Sequence, residues 1–103
     1  MKISELCKEA HAMAKQKGWW ETERNDGECI ALMHSELSEA LEGLRKPSSS
    51  DKIPDFSQVE EELADVIIRI ADYSGARGLR LTEAIRAKLD YNAGREHRHG
   101  KEF

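Results

Sequence analysis

Glu36 and Glu39 lie three residues apart in SELSEALE, and Glu62 and Asp65 repeat that spacing in EEELADVIIRIAD. Three residues is close to one helical turn, so the members of each pair look the same way, and two such helices packed antiparallel can aim all four carboxylates at one point. Ionised carboxylates crowded together repel by roughly 4 kcal/mol per pair at ~4 Å in an effective dielectric near 20, unless something positive sits among them. A divalent metal answers that need. All-oxygen ligands, with no cysteine or histidine completing the set, suit Mg2+ or Mn2+ rather than Zn2+. The chain has 20 acidic residues, and these four also read as part of solvated helix faces; spacing alone leaves both readings open.

The elements that must position them are helices. Ile3, Leu6, Cys7, Ala10, Met13 and Ala14 recur at the period of a helix with one buried stripe, which Gly18 stops. Trp19 to Gly27 reads as a loop whose Asp26 can cap the next helix. A second stripe follows at Ile30, Met33, Leu37, Leu41 and Leu44, with Glu36 at its edge and Glu39 farther round. Both prolines fall in the linker from Lys46 to Pro54. Ser57-Gln58-Val59-Glu60 has the form of a capping box and opens a third helix, with Val59, Leu63, Val66, Ile67 and Ile70 inward and Tyr73 at the edge. Glu62, Asp65, Arg69 and Asp72 form one strip beside that stripe, and Gly75 and Gly78 weaken or end the helix. A fourth helix runs from Leu81 or Thr82 into the low nineties, with Leu81, Ile85 and Leu89 inward. Beyond about residue 96 the sequence reads as a frayed tail. The expected fold is all-α: a four-helix bundle in which helices two and three form a carboxylate-bearing hairpin closed by the first and fourth.

A chain of 103 residues is one domain by length, covering 1–103, with a core thin enough that self-association as a homodimer or homotetramer is expected. With 39% hydrophobic and 35% charged residues the composition is globular. A formal net charge of −4 argues against a nucleic-acid polymer or an anionic membrane as partner. Cys7 and Cys29 match no metal-ligand spacing and fit a reducing compartment as small buried hydrophobes. The N-terminal segment lacks the apolar run of a signal peptide, and no stretch reaches the length of a membrane span. The expectation is a cytoplasmic protein.

Carboxylates cannot by themselves bind a polyphosphate, which is also negative; metal ions must bridge it, leaving coordination positions open for phosphate oxygens and water. Lys88, Asn92 and Arg95, spaced four and three along one side of the fourth helix, supply two cations and an amide for outer phosphates. Read alone, each also fits an ordinary solvated or helix-terminal position.

Taken together, Glu36-Leu37-Ser38-Glu39, Glu62-Leu63-Ala64-Asp65 and Lys88 with Asn92 and Arg95 resemble the ExxE, ExxD and KxxxNxxR arrangement of the MazG-like nucleoside triphosphate pyrophosphohydrolases. The resemblance covers roughly Ile30 to Arg95. It implies an all-α Mg2+-dependent enzyme that hydrolyses an NTP or dNTP between the α and β phosphates, giving a monophosphate and diphosphate, in a role such as nucleotide-pool house-cleaning. It also implies Glu36, Glu39, Glu62 and Asp65 as catalytic metal ligands, and a site built between helices and often across subunits. Where many members carry a further glutamate before the first pair, this chain has Ser35.

Substrate choice falls to the N-terminal part. Of the adjacent Trp19 and Trp20, one can pack inward while the other offers a face to a base, and His11 and Lys15, four apart on the first helix, can approach the same pocket. His34, His97 and His99 form no ligand set. Two rival readings stand beside the hydrolase. A di-iron bundle expects Glu-x-x-His pairs, which neither carboxylate pair here provides. A non-enzymatic helical interaction module would leave the acidic faces as solvated surface.

Overall fold

The computed structural model describes residues 1–95, so the expected tail, with His97 and His99, lies outside the described residues. The protein is an all-α four-helix bundle of α1 (Ile3–Gln16), α2 (Asp26–Arg45), α3 (Gln58–Arg77) and α4 (Leu81–Ala93). Local signals set the start of α2 and both ends of α3. Asn25 caps α2 by accepting a hydrogen bond from the Glu28 amide at 2.8 Å, so the cap falls one residue before the expected Asp26, which becomes the first helical residue. The Ser57–Glu60 capping box opens α3, and Gly78, with φ +63°, closes it in the left-handed conformation that glycine adopts without a Cβ penalty. Gly75 does not end the helix. A Cβ there would stand 2.8 Å from the Cys7 carbonyl and 3.0 Å from the His11 Cβ, so the missing side chain lets α1 lie close against α3.

α3 is the central helix, with α1 packed on one side and α2 on the other. The faces that meet differ from the expected stripes. On α2 the buried residues are Cys29, Glu36, Ala40 and Gly43, while Ile30, Leu37, Leu41 and Leu44 are exposed. The leucine stripe is turned roughly 100° from the buried one. Close approach explains the difference: a Cβ on Gly43 would stand 3.2 Å from Val59 Cγ2, so small residues, not leucines, seat α2 on α3. On α3, Leu63 and Ile67 are likewise exposed, whereas Glu61, Glu62, Val66, Ala71 and Ser74 are buried. α4 contributes no buried residue; Ile85 and Leu89 are exposed, and the helix lies against the rest only lightly, near α1, instead of closing the bundle. The Cα radius of gyration is 16.1 Å, against about 13 Å for a compact chain of this length.

The linker is a folded loop. Ser50 donates its amide to the Phe56 carbonyl (2.8 Å), Gln58 donates to Ser48 (2.9 Å), and a bridge pairs Ser49 with Ser57. The buried Ser50 hydroxyl donates to the Glu61 carboxylate and accepts from the amides of Lys52 and Ile53, which pins the loop to α3 and fixes where Lys52 emerges. At the other end of the hairpin, Asp26 accepts from Arg77 (2.8 Å) and Tyr73 (3.0 Å). The Arg77 guanidinium holds the Asp26 carboxyl below its ordinary range. Cys7 and Cys29 are free thiols. Among the described residues, no helix is long and apolar enough to cross a membrane.

Candidate metal centre and adjoining cleft

Glu36 on α2 and Glu62 and Asp65 on α3 bring one carboxylate oxygen each to within 4.8 Å of one another. Their helix faces explain the convergence. Glu36 shares the buried α2 face with Ala40 and Gly43, whose small side chains draw the two backbones together. Glu62 and Asp65 are a turn apart on the α3 face that meets it. Glu39 is exposed, yet its carboxylate acts on Glu62.

The electrostatics are unequal. Glu62, 4% exposed, is pushed up to about 7 by burial and by the facing Glu39 and Glu36 carboxylates. Its Oε1 accepts from Gln58 Nε2, but Oε2 is buried with no hydrogen-bond partner. Burial, then Glu36 and Glu61, also raise Asp65. Glu36 goes the other way: burial opposes ionisation most strongly, but the hydrogen bond donated by Arg69 Nε at 2.9 Å, the Arg69 charge and the interactions with Glu62 and Glu39 together outweigh it and hold the carboxyl below its usual range. A buried carboxylate oxygen without a donor, inside an all-oxygen set, fits a hard divalent cation. The residues present could therefore hold Mg2+ or a similar ion.

Beside this cluster opens a cleft of about 500 Å3, walled by α1 and α3. Glu36 and Asp65 border it on the acidic side, Lys52 and Arg69 bring positive charge, and Trp19, Met13 and Ile68 supply apolar surface. Trp19 thus stands where the sequence reading placed one tryptophan. Its ring centre lies 4.9 Å from the Arg24 guanidinium and 5.1 Å from that of Arg69. Trp20 instead turns inward: its indole donates to Asp72 at 2.9 Å, and His11 Nδ1 lies 2.8 Å from the same carboxylate, with the two rings edge to face. His11 is thereby part of the clamp that joins α1 to α3. Lys15 is exposed and does not line the cleft, whereas Lys17 does.

Lys88, Asn92 and Arg95 lie on or just beyond the exposed α4, and none lines the cleft. Lys88 and Arg95 both approach the Tyr91 ring, at 4.8 and 5.3 Å. Ser35 donates its hydroxyl to the Leu32 carbonyl at 2.7 Å and does not replace a carboxylate. Lys52 lies in the linker, where no motif marks it, and Arg69 follows Asp65 by four residues on the same strip, the one sequence signal that points to it.

Fold and cluster together define an all-α, four-helix protein with a carboxylate group able to coordinate a divalent cation. No protein-family model, no curated protein and no solved structure matches the chain.

Proposed function

We propose that the protein is a divalent-cation-dependent nucleoside triphosphate pyrophosphohydrolase of the MazG-like kind, converting a (d)NTP and water to a (d)NMP and diphosphate. The observation that carries this reading is the convergence of Glu36, Glu62 and Asp65, with an orphaned buried oxygen on Glu62, at the edge of a cleft that also presents Lys52, Arg69 and Trp19. Glu36, Glu62 and Asp65 would hold the cation, with Glu39 beside them. Mg2+ bound there supplies positive charge opposite the phosphate oxygens that the four carboxylates would otherwise repel. Lys52 and Arg69 offset the remaining phosphate charge from within the cleft, and Trp19 offers an aromatic face to a base. A cleft of about 500 Å3 lies in the range of small-molecule sites, roughly 300–1,000 Å3. With Mg2+ and a panel of NTPs and dNTPs, chromatography is expected to show monophosphate and diphosphate in equal amounts. Nucleoside diphosphate with inorganic phosphate would place the cleavage at another bond and defeat the proposal.

The same reading includes self-association. Leu37, Leu41 and Leu44 form an exposed stripe on α2, and Leu63 and Ile67 one on α3, surfaces that a second copy of the chain would bury. A neighbouring copy would also offer a route for Lys88, Asn92 and Arg95 to reach phosphate oxygens, which α4 does not provide within one chain. Sedimentation equilibrium is expected to show a dimer or tetramer. A lone 11.7 kDa species that still turns over would remove both self-association and the part given to α4.

A further inference from the structure

Arg69 spends only part of its guanidinium on the protein. Its Nε donates to Glu36 at 2.9 Å, and among the described residues its two terminal amino groups make no hydrogen bond. Two other arginines are used more fully: Arg77 donates through both Nε and Nη2, and Arg24 through Nε and Nη1. The Arg69 side chain is 26% exposed, and it borders the cleft next to Asp65 and Trp19. A half-buried guanidinium with a free pair of N–H donors is a fork shaped for two oxygens of one phosphate or carboxylate, and its hold on the Trp19 ring limits where the fork can point. Its position beside the acidic cluster favours a phosphate over a carboxylate, because a phosphate can be shared between the fork and a cation on Glu36, Glu62 and Asp65.

We propose that Arg69 is a phosphate-binding residue of the cleft, resting on Glu36 and presenting its terminal amino groups to a phosphoryl oxygen of the cation-bound substrate. This rests on the pyrophosphohydrolase reading and adds a phosphate ligand to it from within the same chain. Two consequences separate Arg69 from the carboxylates. Arg69 competes with a cation for Glu36, so its removal leaves Mg2+ affinity unchanged or raises it. It also binds the anion directly, so the same removal weakens the nucleotide.

Calorimetry on the intact protein reads both quantities, with Mg2+ alone as one probe and, at saturating Mg2+, dUTP and dATP carrying an imido group between the α and β phosphorus atoms as the others. For Arg69→Ala, the expected result is Mg2+ binding at or above the wild-type affinity and a fall of at least about 10-fold in affinity for both imido triphosphates, equivalent to ~1.4 kcal/mol. Arg69→Lys, which keeps the charge but not the fork, should recover part of the loss, and it carries the same comparison if the alanine variant does not fold. Unchanged imido-triphosphate affinity, or Mg2+ and nucleotide affinities falling together, would overturn the assignment of Arg69 while leaving the wild-type product analysis intact. If wild-type protein binds Mg2+ but neither triphosphate, the pyrophosphohydrolase reading falls and this inference with it.

Discussion

Glu62→Gln is expected to abolish turnover and at the same time to raise the melting temperature of the metal-free protein at pH 8. Glu62 is buried, faces Glu36 and Glu39, and carries an oxygen with no donor. At pH 8, above its raised value of about 7, it is ionised, and the metal-free fold contains a repelling group of negative charges. Glutamine has nearly the same shape but no charge. Its carbonyl can keep the hydrogen bond from Gln58, and its amide can donate to a neighbouring carboxylate. Each kcal/mol of relieved repulsion should appear as a rise of about 4–8 °C in a domain of this size. A neutral amide is a poor partner for a hard divalent cation, so kcat/KM should fall at least about 100-fold, or ~2.7 kcal/mol. Melting curves in chelator and in Mg2+, with steady-state rates, check this. A variant that melts as wild type and turns over normally would leave the cluster without a cation-binding role, as the interaction-module reading requires.

How much of this was legible in the sequence differs by feature. Capping chemistry is local, so the Ser57–Glu60 box and the Gly78 stop can be read from a few neighbouring residues. The three-residue spacing of Glu36 with Glu39 and of Glu62 with Asp65 predicts a shared direction for four carboxylates; the structure brings Glu36, Glu62 and Asp65 together and leaves Glu39 exposed beside them. The buried helix faces differ from the apolar stripes for a physical reason. Apolar periodicity reports which face avoids water, not what covers it, and on α2 the leucine stripe is exposed while Ala40 and Gly43 make the close contact. Burying Glu36 on that face is tolerable because Arg69 answers its charge, and that pairing spans two helices and 33 residues. Lys52 was illegible for a similar reason: its place in the cleft depends on Ser50 folding the loop back onto Glu61.

The sign of the Glu62 shift fixes the behaviour of the metal-free fold with pH. A carboxyl raised from 4.5 to about 7 binds its proton more tightly folded than unfolded. It therefore contributes stability that is fully present below about 4.5 and is lost as pH rises through about 7. Glu36, held low by Arg69, works in the opposite sense and loses its contribution only in stronger acid. Near neutrality the Glu62 trend dominates the cluster, because Glu36 stays ionised there.

Mg2+ affinity should therefore fall about tenfold for each pH unit below 7 and level off above it. A cation can take Glu62 as a ligand only after its proton has left, so binding at pH 6 must release that proton, whereas at pH 8.5 it is already gone. Between pH 8 and pH 5.5 the dissociation constant is expected to rise by roughly 30-fold, from the single Glu62 proton displaced over the pH range below 7. Titrations in two buffers of different ionisation enthalpy test the cause as well as the size: the apparent enthalpy should depend on the buffer at pH 6 and not at pH 8.5. In Glu62→Gln, whatever weak binding survives should lose the dependence centred near 7, because no proton remains to be displaced there. Wild-type affinity that is flat from pH 5.5 to 8, or a buffer dependence that persists unchanged in the glutamine variant, would show that the cation does not bind at Glu62.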